Sequence, residues 1–140
     1  MIPERYAPIT YALFRIVFGY VFLIYGLQKF GFLGGQAVEL ASMQGGAAVI
    51  ETVGGLLIML GLLTRPAAFI ASGEMAFAYF SVHVMQIGMA GPGLPAGLLV
   101  PQMNMGVDAA LFCFAFLYIA TRGAGIWSAD GAMGGSRSRR

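Results

Sequence analysis

The feature that most constrains this chain is a set of four apolar runs, each of about 15 to 20 residues, which together take up most of its length. As an α-helix, a run of that length matches the roughly 30 Å hydrocarbon thickness of a bilayer. Only 10% of the residues are charged and 59% are hydrophobic, a balance that excludes an ordinary soluble domain. The sequence therefore predicts an all-α integral membrane protein.

The four helices are predicted to pack as a bundle within one domain, residues 1–130. The predicted spans are 11–30, 47–63, 67–84 and 104–121. Thr64-Arg65-Pro66 marks a tight turn between the second and third spans, because proline suits the first turn of a helix. Glycines and prolines between residues 85 and 101 predict the largest loop. Residues 131–140, rich in Gly, Ser and Arg, are predicted to be a flexible basic tail.

The basic residues predict the topology. With both termini in the cytoplasm, seven of the eight Lys and Arg residues lie inside and only Lys29 lies outside, as the positive-inside rule requires. The seven are Arg5, Arg15, Arg65, Arg122, Arg137, Arg139 and Arg140. This topology accounts for the basic tail, so no nucleic-acid partner is expected. The first run lacks a small-x-small cleavage motif, and we expect it to stay as a span of a multi-pass protein in the bacterial inner membrane.

Two ionisable residues lie deep in the predicted spans, Arg15 in the first and Glu74 in the third. A charge at the bilayer centre costs roughly 2.5 to 3.5 kcal/mol on insertion scales, so such groups normally face protein or water and have partners. Both residues lie within two turns of the predicted cytoplasmic ends. The sequence therefore suggests an intramembrane Arg15–Glu74 ion pair, and Glu74, the deepest acid, is also a candidate for function.

Polar residues also collect at the outer helix ends, where they predict a pocket. The candidates are Gln28, Lys29, Glu51, His83 and Asp108. Such a group could form a substrate site, a proton-accepting site or a closing network, although residues near the interface also often extend to water for no functional reason. His83 follows Glu74 by nine positions, about half a turn out of phase on an ideal helix, so these two are expected to face different ways.

Metal and cofactor chemistry have little support in the sequence. His83, Met85 and Met89 could bind Cu(I) through imidazole and thioether groups, but methionine also commonly fills gaps or faces lipid, and we expect no metal. The single cysteine, Cys113, excludes a disulfide framework and a CxxC pair. Phosphate-binding loops, zinc-ligand spacings and nucleophile motifs are absent, and no covalently bound cofactor is expected.

Several short strings follow the pattern of one family of membrane proteins. They are Leu13-Phe14-Arg15, Tyr25 to Phe30, Glu51 to Gly55, Gly61 to Pro66, Gly73 to Ala76, Tyr79-Phe80 with His83, Asn104 to Gly106 with Asp108, and Gly125 to Ser128. On these strings the chain resembles the DoxX family. The resemblance implies a four-helix bundle and, from some members, an association with redox systems such as thiosulfate:quinone oxidoreductase. Asp108 stands where the family pattern leads us to expect Glu.

Three functional hypotheses remain open. The first is a membrane subunit without a complete catalytic site of its own, which serves a redox or respiratory complex and contacts a quinone. Its partners would be lipid and other membrane subunits, and a homo-oligomer is an alternative assembly. The second is a small proton-coupled transporter or channel that uses Glu74 with Glu51, His83 and Asp108. The third is a structural accessory subunit. We favour a subunit of an oxidoreductase system over an autonomous enzyme.

Overall fold

The computed structural model describes residues 3–87 and 100–137, and within these ranges the chain is helical, without a strand. A 3-10 turn over Glu4–Tyr6 leads into the first helix. The α-helices are α1 (Ala7–Lys29), α2 (Met43–Leu60), α3 (Thr64–Ala78), α4 (Val107–Arg122) and α5 (Ala129–Arg137). A π-helical segment, Tyr79–Ile87, continues α3. The predicted all-α class is therefore confirmed for the described residues.

Three helical stretches are long and apolar enough to cross a membrane, judged by length and composition. They are Glu4–Lys29, Met43–Leu60 and Thr64–Gln86. Each contains most of one predicted span, so the membrane character of the chain is confirmed. The fourth predicted span, 104–121, corresponds to α4, which has 16 residues and is shorter than the roughly 20 residues that a typical crossing requires.

The turn between α2 and α3 follows from its sequence. Helix α2 ends at Leu60 and is capped by Gly61, whose φ of 68° lies in the left-handed region that glycine adopts without strain. Helix α3 begins three residues later at Thr64, and Pro66 lies in its first turn, where a missing backbone N–H leaves no hydrogen bond unmade. This short connection makes α2 and α3 antiparallel neighbours.

Helices α1 and α2 pack with their backbones almost in contact. A Cβ added at Gly19 would lie 2.5 Å from the Met59 nitrogen, and one added at Gly55 would lie 2.4 Å from the Leu23 nitrogen. Small residues allow this close approach. In lipid, burial of apolar surface does not drive helices together, so their association depends on such close packing. Close van der Waals packing therefore holds α1 against α2 over much of their length.

Aromatic side chains join α1 to α4, and a hydrogen bond joins α3 to α4. The buried rings of Phe22 and Phe116 have centroids 4.6 Å apart, and Phe112 packs against both. The Ser72 hydroxyl of α3 donates to the Cys113 carbonyl at 2.8 Å. These contacts bring the start of α4 alongside the last turns of α1.

Two stretches differ from the sequence prediction. Residues 129–137 form α5 where a flexible tail was predicted from residue 131; the helix is anchored because the Asp130 N–H donates to the Gly61 carbonyl at 2.9 Å. Helix α4 begins at Val107 and not at residue 104, because the Asn104 side chain accepts a hydrogen bond from the Gly106 N–H at 2.9 Å and holds a turn there. Most of the predicted loop, and Arg139 and Arg140, lie outside the described residues.

Candidate functional site

A cavity of about 770 Å³ lies between the helices, at the end of the molecule that carries Lys29. Its walls come from the last turns of α1, the first half of α2, α3 with its π-helical segment, and the start of α4. The ionisable residues that line it are Lys29, Glu51, Glu74, His83 and Asp108. The structure thus brings together four of the five predicted pocket residues and adds Glu74, whereas Gln28 is not among the lining residues.

The polar centre of the cavity is an ion pair between α1 and α2. Lys29 Nζ donates to Glu51 Oε1 at 2.6 Å, with the Lys29 side chain 33% exposed and that of Glu51 only 3% exposed. Helices α1 and α2 approach closely at Gly26, one turn before Lys29, where a Cβ would overlap Thr52 Oγ1. This close approach brings Lys29 within reach of Glu51. Glu51 Oε2 is buried and has no hydrogen-bond partner among the described residues.

The suggested Arg15–Glu74 ion pair does not form. Among the side chains that the structure describes, the ion pair is Lys29–Glu51 alone. Glu74 lines the cavity, and its buried Oε2 has no partner within the described ranges. Arg15 lies at the opposite end, where it donates to the carbonyls that end α2. These carbonyls lie at the C-terminal end of α2, where the helix dipole is negative, and therefore attract a guanidinium; the Ile58 carbonyl also accepts from the Gly61 N–H at 3.1 Å.

The π-helical segment brings His83 to the same cavity as Glu74, contrary to the expectation that they face different ways. A π-helix bonds residue i to residue i+5 and therefore turns less per residue than an α-helix, which removes part of the phase difference. His83 Nδ1 lies 3.1 Å from the Asn104 carbonyl oxygen. Since a carbonyl only accepts, Nδ1 carries the hydrogen in this contact, and in a neutral imidazole Nε2 is left as an acceptor.

The described residues give no support to the copper alternative. Met89 lies outside the described residues, and Met85 is 62% exposed. Within residues 3–87 and 100–137 no group of three His, Cys, Asp or Glu side chains could hold a metal ion.

An aromatic wall completes the polar end of the cavity, and sequence reasoning missed it. The Tyr25 hydroxyl donates to Asp108 Oδ2 at 3.3 Å, and its ring packs edge-on against Phe112 with centroids 5.9 Å apart. Tyr25 precedes Lys29 by four residues and Phe112 follows Asp108 by four. Helical periodicity alone could therefore have assigned both rings to the pocket.

The remaining walls are apolar and continue to the outer surface of the helices. Met43 of α2 and Ile70 and Phe77 of α3 line the cavity and are also exposed, Phe77 by 56%. In a bilayer these side chains would touch acyl chains. The cavity therefore extends from its polar interior to apolar side chains on the outer surface of the helices.

The opposite end of the molecule is closed by hydrogen bonds to backbone carbonyls. Arg15, fully buried, donates to Ile58 at 2.7 Å, Met59 at 2.8 Å and Trp127 at 2.6 Å. Arg65 donates to the Thr121 carbonyl at 3.0 Å, near the end of α4. We call this hydrogen-bonded region the closed end and the cavity region the open end.

Asp130 completes the closed end by capping α3. Its carboxylate accepts from the Leu63 and Thr64 N–H groups, both at 2.9 Å, and from the Thr64 hydroxyl at 2.8 Å. Partial burial acts to raise the pKa of this group, but the hydrogen bonds from Thr64 and Leu63 outweigh it and hold the pKa of Asp130 below its usual value. The segment after α4 is thereby fixed to the α2–α3 turn.

Comparison with known proteins shows which sequences this chain resembles. The sequence model of the DoxX family matches residues 10–84, more than half of the chain, and that stretch includes Lys29, Glu51, Glu74 and His83. An uncharacterised protein of Haemophilus influenzae is 42% identical over 132 residues, covering 91% of this chain and 92% of the relative. No solved structure matches the chain. The chain therefore belongs to the DoxX family, as the sequence resemblance predicted.

Proposed function

We propose that this protein is an integral membrane subunit of a redox or respiratory assembly, and that its cavity binds a quinone-type ligand. The observation that carries the proposal is the open end: a cavity of about 770 Å³ whose polar centre is a buried ion pair and whose apolar walls reach the lipid side. Its volume lies within the range of roughly 300 to 1,000 Å³ that small-molecule sites occupy.

The residues present fit such a ligand. An aromatic head can pack against Tyr25 and Phe112, the Lys29 ammonium retains hydrogens for a ring oxygen, and an apolar tail can follow Ile70 and Phe77 toward lipid. A bound quinone supplies transfer of two electrons and two protons. The chain contributes binding, orientation and the exclusion of water. Its single cysteine, Cys113, is not among the residues that line the cavity, so we assign the electron donor and acceptor to partner subunits.

We further propose that α1 to α4 all cross the inner membrane as a bundle, with both termini in the cytoplasm. Support comes from the distribution of charge, because Arg15, Arg65 and Arg122 belong to the closed end and Lys29 to the open end. Reporter fusions after residue 137 and within residues 31–42 test the topology. A cytoplasmic reporter should be active only in the first fusion and a periplasmic one only in the second; the reverse pattern would overturn the proposed orientation.

Ligand binding is tested with a variant that fills the cavity and a matched variant that does not. Ala47 lines the cavity, whereas Val49, on the same helix, does not line it and is 49% exposed. After mild detergent extraction and lipid analysis, we expect quinone to co-purify with the wild type and with Val49→Phe, and to fall at least fivefold in Ala47→Phe. Equal amounts of quinone in both variants, or none with the wild type, would contradict the proposal.

One observation favours the second function, a proton-coupled transporter. Glu74 Oε2 is buried on the cavity within a membrane-crossing helix and has no partner among the described residues, as in many proton-binding sites of transporters. The transporter hypothesis predicts pH-dependent uptake of a solute into liposomes by the purified wild type and its loss in Glu74→Gln. Absence of uptake in the wild type would leave the quinone-binding subunit as the proposal.

A further inference from the structure

The cavity holds two carboxylate oxygens whose hydrogen-bonding capacity is unused. Glu51 Oε2 and Glu74 Oε2 are both buried, and neither has a partner among the described residues. The Glu51 side chain is only 3% exposed. Buried polar atoms in folded proteins are almost always hydrogen-bonded. Arg15 Nε, Thr52 Oγ1 and Asn104 Nδ2 are also buried without a described partner, but only Glu51 and Glu74 belong to residues that line the cavity, where a bound molecule can supply the missing hydrogen bond.

The chemistry of Glu51 limits what that molecule can offer. Lys29 Nζ at 2.6 Å from Oε1 stabilises the ionised form of Glu51. An ionised carboxylate only accepts hydrogen bonds, so Oε2 requires a donor. A ligand carbonyl in the same place would put two acceptor oxygens against each other.

Apart from Lys29, the hydroxyl and imidazole groups near the two carboxylates make their hydrogen bonds elsewhere. The Tyr25 hydroxyl donates to Asp108, the Ser81 hydroxyl donates to the Phe77 carbonyl at 2.7 Å, and His83 Nδ1 is occupied by the Asn104 carbonyl. Gln44, exposed at the start of α2, makes no hydrogen bond to either carboxylate within the described ranges. The charged groups that face the cavity are thus Lys29 of α1, Glu51 of α2, Glu74 of α3 and Asp108 of α4, three acids and one base.

We infer that the cavity selects its ligand by hydroxyl donors, and that it binds the hydroquinone form of a quinone-type amphiphile in preference to the oxidised form. This inference rests on the proposed function and specifies its ligand. A phenolic hydroxyl can donate to a carboxylate oxygen and at the same time accept from the Lys29 ammonium. A quinone carbonyl can accept from Lys29 but leaves Glu51 Oε2 without a donor. Sites built to pair a substrate hydroxyl discriminate strongly against analogues that lack it.

The test uses the full chain in lipid nanodiscs with two probes, a short-tailed benzoquinone and its hydroquinone kept reduced under argon. Equilibrium dialysis should show the wild type binding the hydroquinone about tenfold or more tightly than the quinone. In Glu51→Gln the amide can donate to a carbonyl, so the quinone should bind more tightly and the preference should fall at least threefold. Gln28→Leu, at a position that does not line the cavity, should keep the wild-type preference.

The outcomes separate this inference from the function on which it rests. Equal binding of the two forms by the wild type, or tighter binding of the quinone, would overturn the hydroxyl preference and leave the quinone-binding subunit standing. Binding of neither form would overturn both. A Glu51→Gln protein that stays monodisperse in gel filtration, yet keeps the full preference, would exclude Glu51 from recognition and overturn the inference.

Discussion

The two ends of this molecule treat buried polar groups in opposite ways. At the closed end the fully buried guanidinium of Arg15 has backbone carbonyls of two separate segments as partners, and the carboxylate of Asp130 has three donors. At the open end Glu51 and Glu74 each keep a buried oxygen without a described partner. Arg15 Nε at the closed end also has no described partner, so unpaired atoms alone do not distinguish the two ends. What distinguishes them is that hydrogen bonds join separate segments at the closed end, whereas the unpaired carboxylates of the open end belong to residues that line a cavity. The contrast assigns stability to one end and recognition to the other.

The largest expected effect is on stability, from removing Arg15. Arg15→Leu removes the donor to the part-buried Met59 and Trp127 carbonyls and one of the two donors to the Ile58 carbonyl, which keeps the Gly61 N–H, and this should lower the free energy of unfolding by roughly 3 kcal/mol. Arg15→Lys should recover only part of that loss, because an ammonium lacks the planar fork of donors. Steric-trapping or SDS titration of the detergent-solubilised protein measures both. Wild-type stability in Arg15→Leu would remove the distinction between the two ends.

The next effect compares two glycines. Gly19→Val inserts a side chain where a Cβ already lies 2.5 Å from the Met59 nitrogen, so α1 and α2 must separate and the protein should lose about 2 kcal/mol of stability. Gly46 lies on the cavity, and a Cβ there meets nothing within 4 Å. Gly46→Ala should therefore be neutral or slightly stabilising. The same unfolding titration measures the free energy of unfolding of both variants, and similar decreases in the two would contradict the comparison.

A smaller effect concerns pH at the closed end. The folded-state pKa of Asp130 is depressed, so its contribution to stability is present above the unfolded-state pKa of about 3.9 and is lost as pH falls through the lower folded-state value. Asp130→Asn should reduce stability at neutral pH by about 1 kcal/mol, through weaker capping of α3. It should also flatten the decline of the thermal midpoint below about pH 4. An unchanged acid profile in the variant would show that Asp130 is not the group responsible.

The smallest effect is expected at the open end. Tyr25→Phe removes only the 3.3 Å hydrogen bond to Asp108, which is exposed, while the ring keeps its packing against Phe112. Stability should change by less than about 0.5 kcal/mol, since hydrogen bonds to solvent-exposed groups contribute little. A loss as large as that of Arg15→Leu, measured by the same titration, would mean that the open end also carries the fold.

The sequence predicted those parts of the structure that depend on helix length and helix ends. Lys29, Glu51, His83 and Asp108 meet at one cavity because antiparallel helices of similar length place alternate ends at the same level. The Arg15 contacts could not be predicted from the sequence, because its partners are backbone carbonyls, which every residue has. The phase of His83 was missed for a related reason: the π-helical segment after Ala78 changes the rotation per residue without a distinctive motif.

The bond between Arg15 and the Trp127 carbonyl joins residues 112 positions apart, so the two are synthesised at different times. At 5 to 20 residues per second, roughly 6 to 22 s separate their departure from the ribosome. During the first part of that interval, until Ile58 and Met59 emerge, α1 carries a cation whose partners do not yet exist, and nearby lipid phosphates or the insertion machinery can shelter it; after that only the contact with Trp127 is missing. Release of Arg15 from that temporary host would then depend on the arrival of the segment after α4, which makes this late-emerging stretch the step that completes membrane assembly.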